Sequence, residues 1–120
     1  MKAHLAAGAL ALASLLGASG LAAAAEVKGA LLDVACSTDT LKDGYRGALA
    51  HERECALMTP CVKSGYGVVT EDGKFIKFDQ AGNDKTLEML KNTDKADNLK
   101  ITVTGDVQGE TMTVSSIALQ

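Results

Sequence analysis

The chain has 120 residues, 12 Lys and Arg against 15 Asp and Glu for a formal charge of −3, and only two tyrosines and two phenylalanines as aromatics. Such a chain supports one small domain with a thin core. An acidic surface this poor in rings also argues against nucleic-acid binding, which needs cations for the backbone and aromatic faces for the bases.

The N-terminus reads as an export signal. Met1-Lys2-Ala3-His4 is a short basic start, Leu5 to Leu16 is an apolar run broken only by Gly8 and Ser14, and small residues follow up to Ala25. This is the layout of a secretory signal peptide over 1–25, with Ala23-x-Ala25 offering the small side chains of a cleavage site. The run is too short, and lacks the flanking charges, to remain as a membrane span after cleavage. The expectation is a periplasmic or secreted domain over 26–120, of 95 residues and charge −4 once Lys2 has left.

Val27 to Ala35 is apolar on both parities and predicts a well-buried first strand, with Cys36 at its end pointing with Leu32 and Val34. Tyr45, Ala48, Leu49, Glu52 and Ala56 have helical spacing. Gly44 and Gly47 weaken its start by ~1 kcal/mol each, so the expected helix covers about Ala48 to Met58, ended by Pro60. Tyr66–Thr70 and Lys74–Asp79 are short β-type runs joined by Glu71-Asp72-Gly73, a hairpin signal because Gly accepts positive φ. A short helix through Leu87, Met89 and Leu90 is expected next, with Asn83 or Asp84 as N-cap. Ile101, Val103 and Val107 then alternate with polar residues, and Gln108-Gly109 makes a turn. Met112 and Val114 continue the alternation, whereas Ile117 and Leu119 sit on the opposite parity, which predicts a bulge near Ser115-Ser116.

The resulting order is strand, Cys-bearing helical insertion, two-stranded hairpin, helix, two-stranded hairpin. A mainly β (α+β) fold is expected: a small five-stranded OB-fold-like barrel with a helix between strands 3 and 4. A generic α+β sandwich is the alternative.

The run Gly29-Ala30-Leu31-Leu32-Asp33-Val34-Ala35-Cys36, then His51-x3-Cys55, Cys61-x3-Gly65, Asp72-Gly73-Lys74 and Val103-Thr104-Gly105, resembles a group of small secreted bacterial proteins with an OB-like domain and no settled function. The resemblance covers nearly all of the chain after the signal. It implies the fold more than any activity, and its recurring positions carry over here as Cys36, His51, Cys55 and Cys61.

Those four residues gather all three cysteines and the sole histidine beyond the signal into one stretch. If His51 and Cys55 share a helix, their i, i+4 spacing puts both on one face. Three thiolates and an imidazole suit tetrahedral Zn(II), or Cu(I) with fewer ligands. The competing expectation is a disulfide, Cys36 with Cys61 or Cys55 or Cys55 with Cys61, because exported cysteines usually pair and a bridge gives a small domain ~2–4 kcal/mol. No C-x-x-C-H haem motif and no C-x-x-C redox motif is present. His51 and Cys55 would make a poor base and nucleophile, so an enzyme is not expected.

Around this set, Met58, Met89 and Met112 read as core residues rather than thioether ligands, and Glu52, Arg53 and Glu54 as a solvated helix face. Tyr66, Phe75 and Phe78 read as core. Asp33, an acid within an apolar strand, needs a partner: loop backbone near Cys36, or His51 from outside a metal shell. Two roles follow for the whole domain. One is a non-enzymatic binding protein for a thiophilic metal ion; the other is a disulfide-stabilised module that meets an envelope protein.

Overall fold

The computed structural model describes residues 24–120. The signal-peptide reading therefore lies almost wholly outside the described residues, although Ala25 opens the first strand across from Gly105. No helix among the described residues is long and apolar enough to cross a membrane.

Five strands form a mixed sheet that closes into a ring: β1 (Ala25–Asp33), β2 (Tyr66–Val69), β3 (Phe75–Phe78), β4 (Lys100–Gln108) and β5 (Thr111–Leu119). Around the ring the order is β1-β2-β3-β5-β4, and β4 pairs back to β1. All neighbours are antiparallel except β3 and β5, which run parallel through Lys77↔Thr111 and Phe78↔Met112. The β2–β3 hairpin turns where expected, with Gly73 at φ 87°. In the last hairpin Thr104 faces Ser116 while Gly105 faces Val114. Ser115 is thus the extra residue of a bulge, and the bulge restores Ile117 to the core side.

Ile101, Val103, Met112 and Val114 point into the ring with Leu31, Tyr66, Val68 and Phe78. Val107 is only half-buried at the rim of this core, while Lys100 faces solvent. The first strand is apolar on both parities for a visible reason. Leu31 enters the ring core, whereas Ala30 and Leu32 on its other face pack with Val69 and Ala48 under the insertion.

The insertion between β1 and β2 is helical, but its pieces differ from expectation. It runs α1 (Val34–Thr40), a 3-10 turn (Leu41–Asp43), α2 (Gly44–Ala50), α3 (Arg53–Ala56) and α4 (Thr59–Ser64). The single helix expected over Ala48–Met58 is interrupted: His51 and Glu52 are extended, with ψ of 131° and 148°. The cause is a distant strap, since Asn98 N–H donates to the Leu49 carbonyl and Arg53 N–H to the Ala96 carbonyl. Pro60 does not end a helix; it stands in the first turn of α4, where its missing N–H costs nothing. Cys36 likewise does not end β1 but sits in the first turn of α1.

The helix between β3 and β4, α5 (Gln80–Asn92), starts earlier than Asn83 or Asp84 would allow. Asp79 is its N-cap, accepting from Gly82 N–H at 3.0 Å and from Val114 N–H at 3.1 Å, so one carboxylate oxygen ties helix to sheet. Arg53 is half-buried rather than part of a solvated face, and its Nε donates to the Leu90 carbonyl at 2.7 Å. Met112 and Met89 pack as expected, but Met58 is 56% exposed and belongs to no core.

Candidate metal centre

The end of β1 fixes the site. Asp33 faces Tyr66 across the β1–β2 pairing and is fully buried beneath the insertion. A buried carboxylate must be satisfied, and this one is satisfied from several sides. Its Oδ2 accepts the Cys36 N–H at 3.0 Å, which caps α1. Its Oδ1 lies 2.7 Å from His51 Nε2. A carboxylate oxygen here only accepts, so Nε2 is the donor of this hydrogen bond.

The break at His51 is what makes this contact. With His51 extended after α2, its ring swings under the end of β1, whereas a continuous helix would have carried it onward beside Cys55. His51 and Cys55 consequently share no helix face, contrary to the i, i+4 expectation. Cys61 comes from the first turn of α4 and is 5% exposed. The α1 and α4 backbones are laced alongside it: Val34 N–H donates to the Gly65 carbonyl and Ala35 N–H to Ser64 Oγ, both at 2.9 Å.

One donor atom from each of Asp33, Cys36 and His51 lies within 4.8 Å of the others, a group that can hold a metal ion. The structure thus brings Cys36 and His51 together around a carboxylate, while buried Cys61 stands outside that three-donor group. Cys55, half-buried in α3, also lies outside that group. All three thiols are free, and no pair is at bonding distance. Asp33 is the member that a search for Cys and His alone leaves out, although its position in an apolar run marks it; both partners considered for it, the Cys36 backbone and His51, are real.

Electrostatics separate the carboxyl from the thiols. Burial works to raise the Asp33 carboxyl, but hydrogen bonds from His51, the Cys36 N–H and Cys61 outweigh it, and the group lies below its ordinary value. Burial and the neighbouring Asp33 charge push the Cys36 thiol up. Burial, followed by the hydrogen bond to Asp33 and its charge, pushes Cys61 up to about 12. Tyr66, whose hydroxyl donates to the Ala56 carbonyl at 2.7 Å, is raised to about 12 by burial and by the charges of Asp33 and Cys61. Near neutral pH the site therefore holds a carboxylate against protonated Cys36 and Cys61 thiols, the reverse of an activated thiolate.

No protein family, curated protein or solved structure matches the chain.

Proposed function

We propose that this is an exported, non-enzymatic binding protein that holds one thiophilic metal ion, Zn(II) or Cu(I), through Asp33, Cys36, His51 and Cys61. The observation that carries the reading is the convergence of oxygen, nitrogen and sulfur donors within 4.8 Å at the end of β1. Two sulfurs with one imidazole and one carboxylate make a four-donor set suited to Zn(II), and the sulfurs alone suit Cu(I). Bond lengths to zinc of about 2.0–2.3 Å set neighbouring donors roughly 3.3–3.8 Å apart. The Asp33–His51 pair at 2.7 Å is therefore hydrogen-bonded, and these two side chains would have to part slightly to hold a metal together.

A non-enzymatic role is supported by enclosure and by charge. Asp33 and Cys61 are buried, and closed four-donor sites hold metals rather than turn over substrate. The raised thiols argue against a nucleophile. The ring order, the parallel β3–β5 closure and the helix between β3 and β4 support an OB-type barrel carrying the site on its insertion. The N-terminal sequence supports export.

Titration of fully reduced, metal-free protein with Zn(II) against a chromophoric chelator tests the reading. One equivalent bound, and lost in Cys36→Ser, is expected. No uptake at micromolar metal by the folded, reduced protein overturns it.

A further inference from the structure

We propose that Arg53 is a positioning residue for the candidate metal centre: acting through His51 rather than on an ion, it clamps the extended His51–Glu52 stretch to α5 and so holds the imidazole against Asp33. The stretch cannot place itself. It runs between α2 and α3, of 7 and 4 residues, and helices this short do not persist on their own hydrogen bonds. Its path is set by anchors on either side. Before it, the Leu49 carbonyl accepts the Asn98 N–H at 2.8 Å; after it, Arg53 donates its own N–H to the Ala96 carbonyl at 2.7 Å.

Both of those anchors lie on soft chain. Ala96 and Asn98 belong to a segment, 93–98, that has neither helix nor strand and is exposed from 94 onward. The Arg53 side chain reaches something firmer. Leu90 is fully buried in the last turn of α5, where carbonyls have no partner inside the helix, and its carbonyl accepts from Arg53 Nε at 2.7 Å. A guanidinium at that place also faces the negative end of the helix. At its other end α5 is fastened to the sheet through Asp79 and the Val114 N–H. Arg53 therefore ties the break to a rigid element, close in sequence to the imidazole that meets Asp33 Oδ1 at 2.7 Å.

The consequence for metal is one of registration. His51 and Asp33 can serve one ion only while the ring stays under the end of β1, and supporting contacts outside the ligands are worth about 10–100-fold in metal affinity. This consequence rests on the metal reading above; the placement of the imidazole does not.

Arg53→Met, Arg53→Lys and Val103→Ala are compared with the parent. The first keeps the apolar stem and removes the donor, the second keeps a donor without the guanidinium fork, and the third opens the buried ring core and so reports what lost stability alone does. Two readouts are taken on reduced protein at neutral pH, below each melting transition. Ring-nitrogen signals of His51 in long-range proton–nitrogen spectra, identified with His51→Ala, report its bond to Asp33; competition with a chromophoric chelator reports Zn(II) affinity. Arg53→Met is expected to shift the ring signals and weaken zinc at least tenfold. Arg53→Lys should fall between it and the parent, and Val103→Ala should change neither. Parent-like ring signals in Arg53→Met overturn the proposal, and so do equal changes in Val103→Ala, which would make the effect one of stability. Should Arg53→Met not fold, Arg53→Lys decides: intermediate signals uphold the clamp and parent-like ones overturn it. Shifted ring signals with unchanged zinc affinity overturn the consequence for metal. A parent that binds no zinc, with ring signals that still shift in Arg53→Met, removes the metal reading and leaves the positioning role standing.

Discussion

Asp33 and His51 stand 18 positions apart in sequence and meet at 2.7 Å, joining the last residue of β1 to the break that follows α2. The same carboxylate caps α1 through the Cys36 N–H. One buried side chain thus holds the strand end, a helix start and the imidazole in a single arrangement.

Replacing Asp33 should be costly. An asparagine at this position would keep the volume but offer one oxygen where two are used, leaving either the Cys36 N–H or His51 Nε2 facing an amide donor. Loss of an N-cap is typically ~1 kcal/mol and loss of a buried charged hydrogen bond about 1.5–3 kcal/mol. Asp33→Asn should therefore lower unfolding free energy by roughly 2–4 kcal/mol, measured by urea titration of the reduced protein. His51→Ala should lose less, and the double variant should lose less than the two together. A change within ~0.5 kcal/mol, the range of surface substitutions, would mean the network is not formed.

Stability should fall at both pH extremes for different groups. Asp33 has a folded value below the ordinary 3.8, so its contribution is complete above that value and disappears as pH drops through the lower folded one. Cys61 is raised from 9.0 to about 12, so the folded state keeps a proton that the unfolded state has lost. Its contribution is full below pH 9 and is lost between there and about 12. Cys36 acts in the same direction, and Tyr66 adds to the decline from its ordinary 10.0 upward. Denaturation midpoints of metal-free reduced protein across pH, with Cys61→Ala and Tyr66→Phe as controls, should show a shallower alkaline decline in each variant. An unchanged alkaline limb in both would contradict these assignments.

What was legible in the sequence follows from where each interaction is local. The alternation of Ile101 and Val103 located β4, and the parity change at Ile117 located the Ser115 bulge, because both are written in neighbouring residues. Asp33 was conspicuous because an acid in an apolar run demands partners. The helix break at His51 was not legible, since its cause lies at Ala96 and Asn98, more than 40 positions away. Without that break, His51 falls on one helix face with Cys55, and its contact with Asp33 stands only as one of two alternatives. Pro60 is ambiguous for a different reason: a proline is equally at home after a helix or in its first turn, and only the fold decides. The start of α5 is legible to within a turn, since Asp79, Asn83 and Asp84 can all cap a helix and only the fold selects Asp79.

Glycine substitutions should separate strain from collision. Gly73 has φ 87° with open space around it, so Gly73→Ala should cost only the left-handed penalty, about 1–2 kcal/mol. Gly65, at φ 86°, would also drive a Cβ to 2.8 Å from Asn83 Nδ2, and Asn83 holds Tyr66 N–H through its Oδ1 at 2.8 Å. Gly105 needs no positive φ, but a Cβ there would run into the Thr113 carbonyl, which is backbone and cannot turn aside. Melting temperatures should rank Gly73→Ala above Gly65→Ala and Gly105→Ala. A Gly105→Ala protein as stable as the parent would place the bulge wrongly.

Val103 is completely buried in the ring, opposite Val27 and Ile117. Val103→Asp would bury an unpaired carboxylate, which costs several kcal/mol. Loss of cooperative unfolding or a fall of that size is expected by circular dichroism. Val107→Asp, at the half-buried rim, should cost clearly less, and equal losses at the two positions would contradict this core boundary.

The four candidate ligands should be unequal, and their ranking tests the site more sharply than metal uptake alone. Cys36 lies in the three-donor group with Asp33 and His51, buried Cys61 is near enough for the Asp33 charge to raise its thiol, and half-buried Cys55 stands outside the group. Outer partners of a metal site are worth about 10–100-fold in affinity, so direct ligands should exceed that. In reduced protein at neutral pH, Cys36→Ser and Cys61→Ser should each weaken Zn(II) binding by more than roughly 100-fold, and His51→Ala by at least about tenfold. Cys55→Ser should stay within a few-fold of the parent. Because binding must expel the Cys36 and Cys61 protons, affinity should also weaken as pH falls. Competition with a chelator of known affinity, on variants whose folding is checked by circular dichroism, gives each value. If Cys55→Ser abolishes binding while Cys61→Ser is silent, the ion sits on the α3 side of Cys36, and the end of β1 is a buried polar cap with no metal to hold.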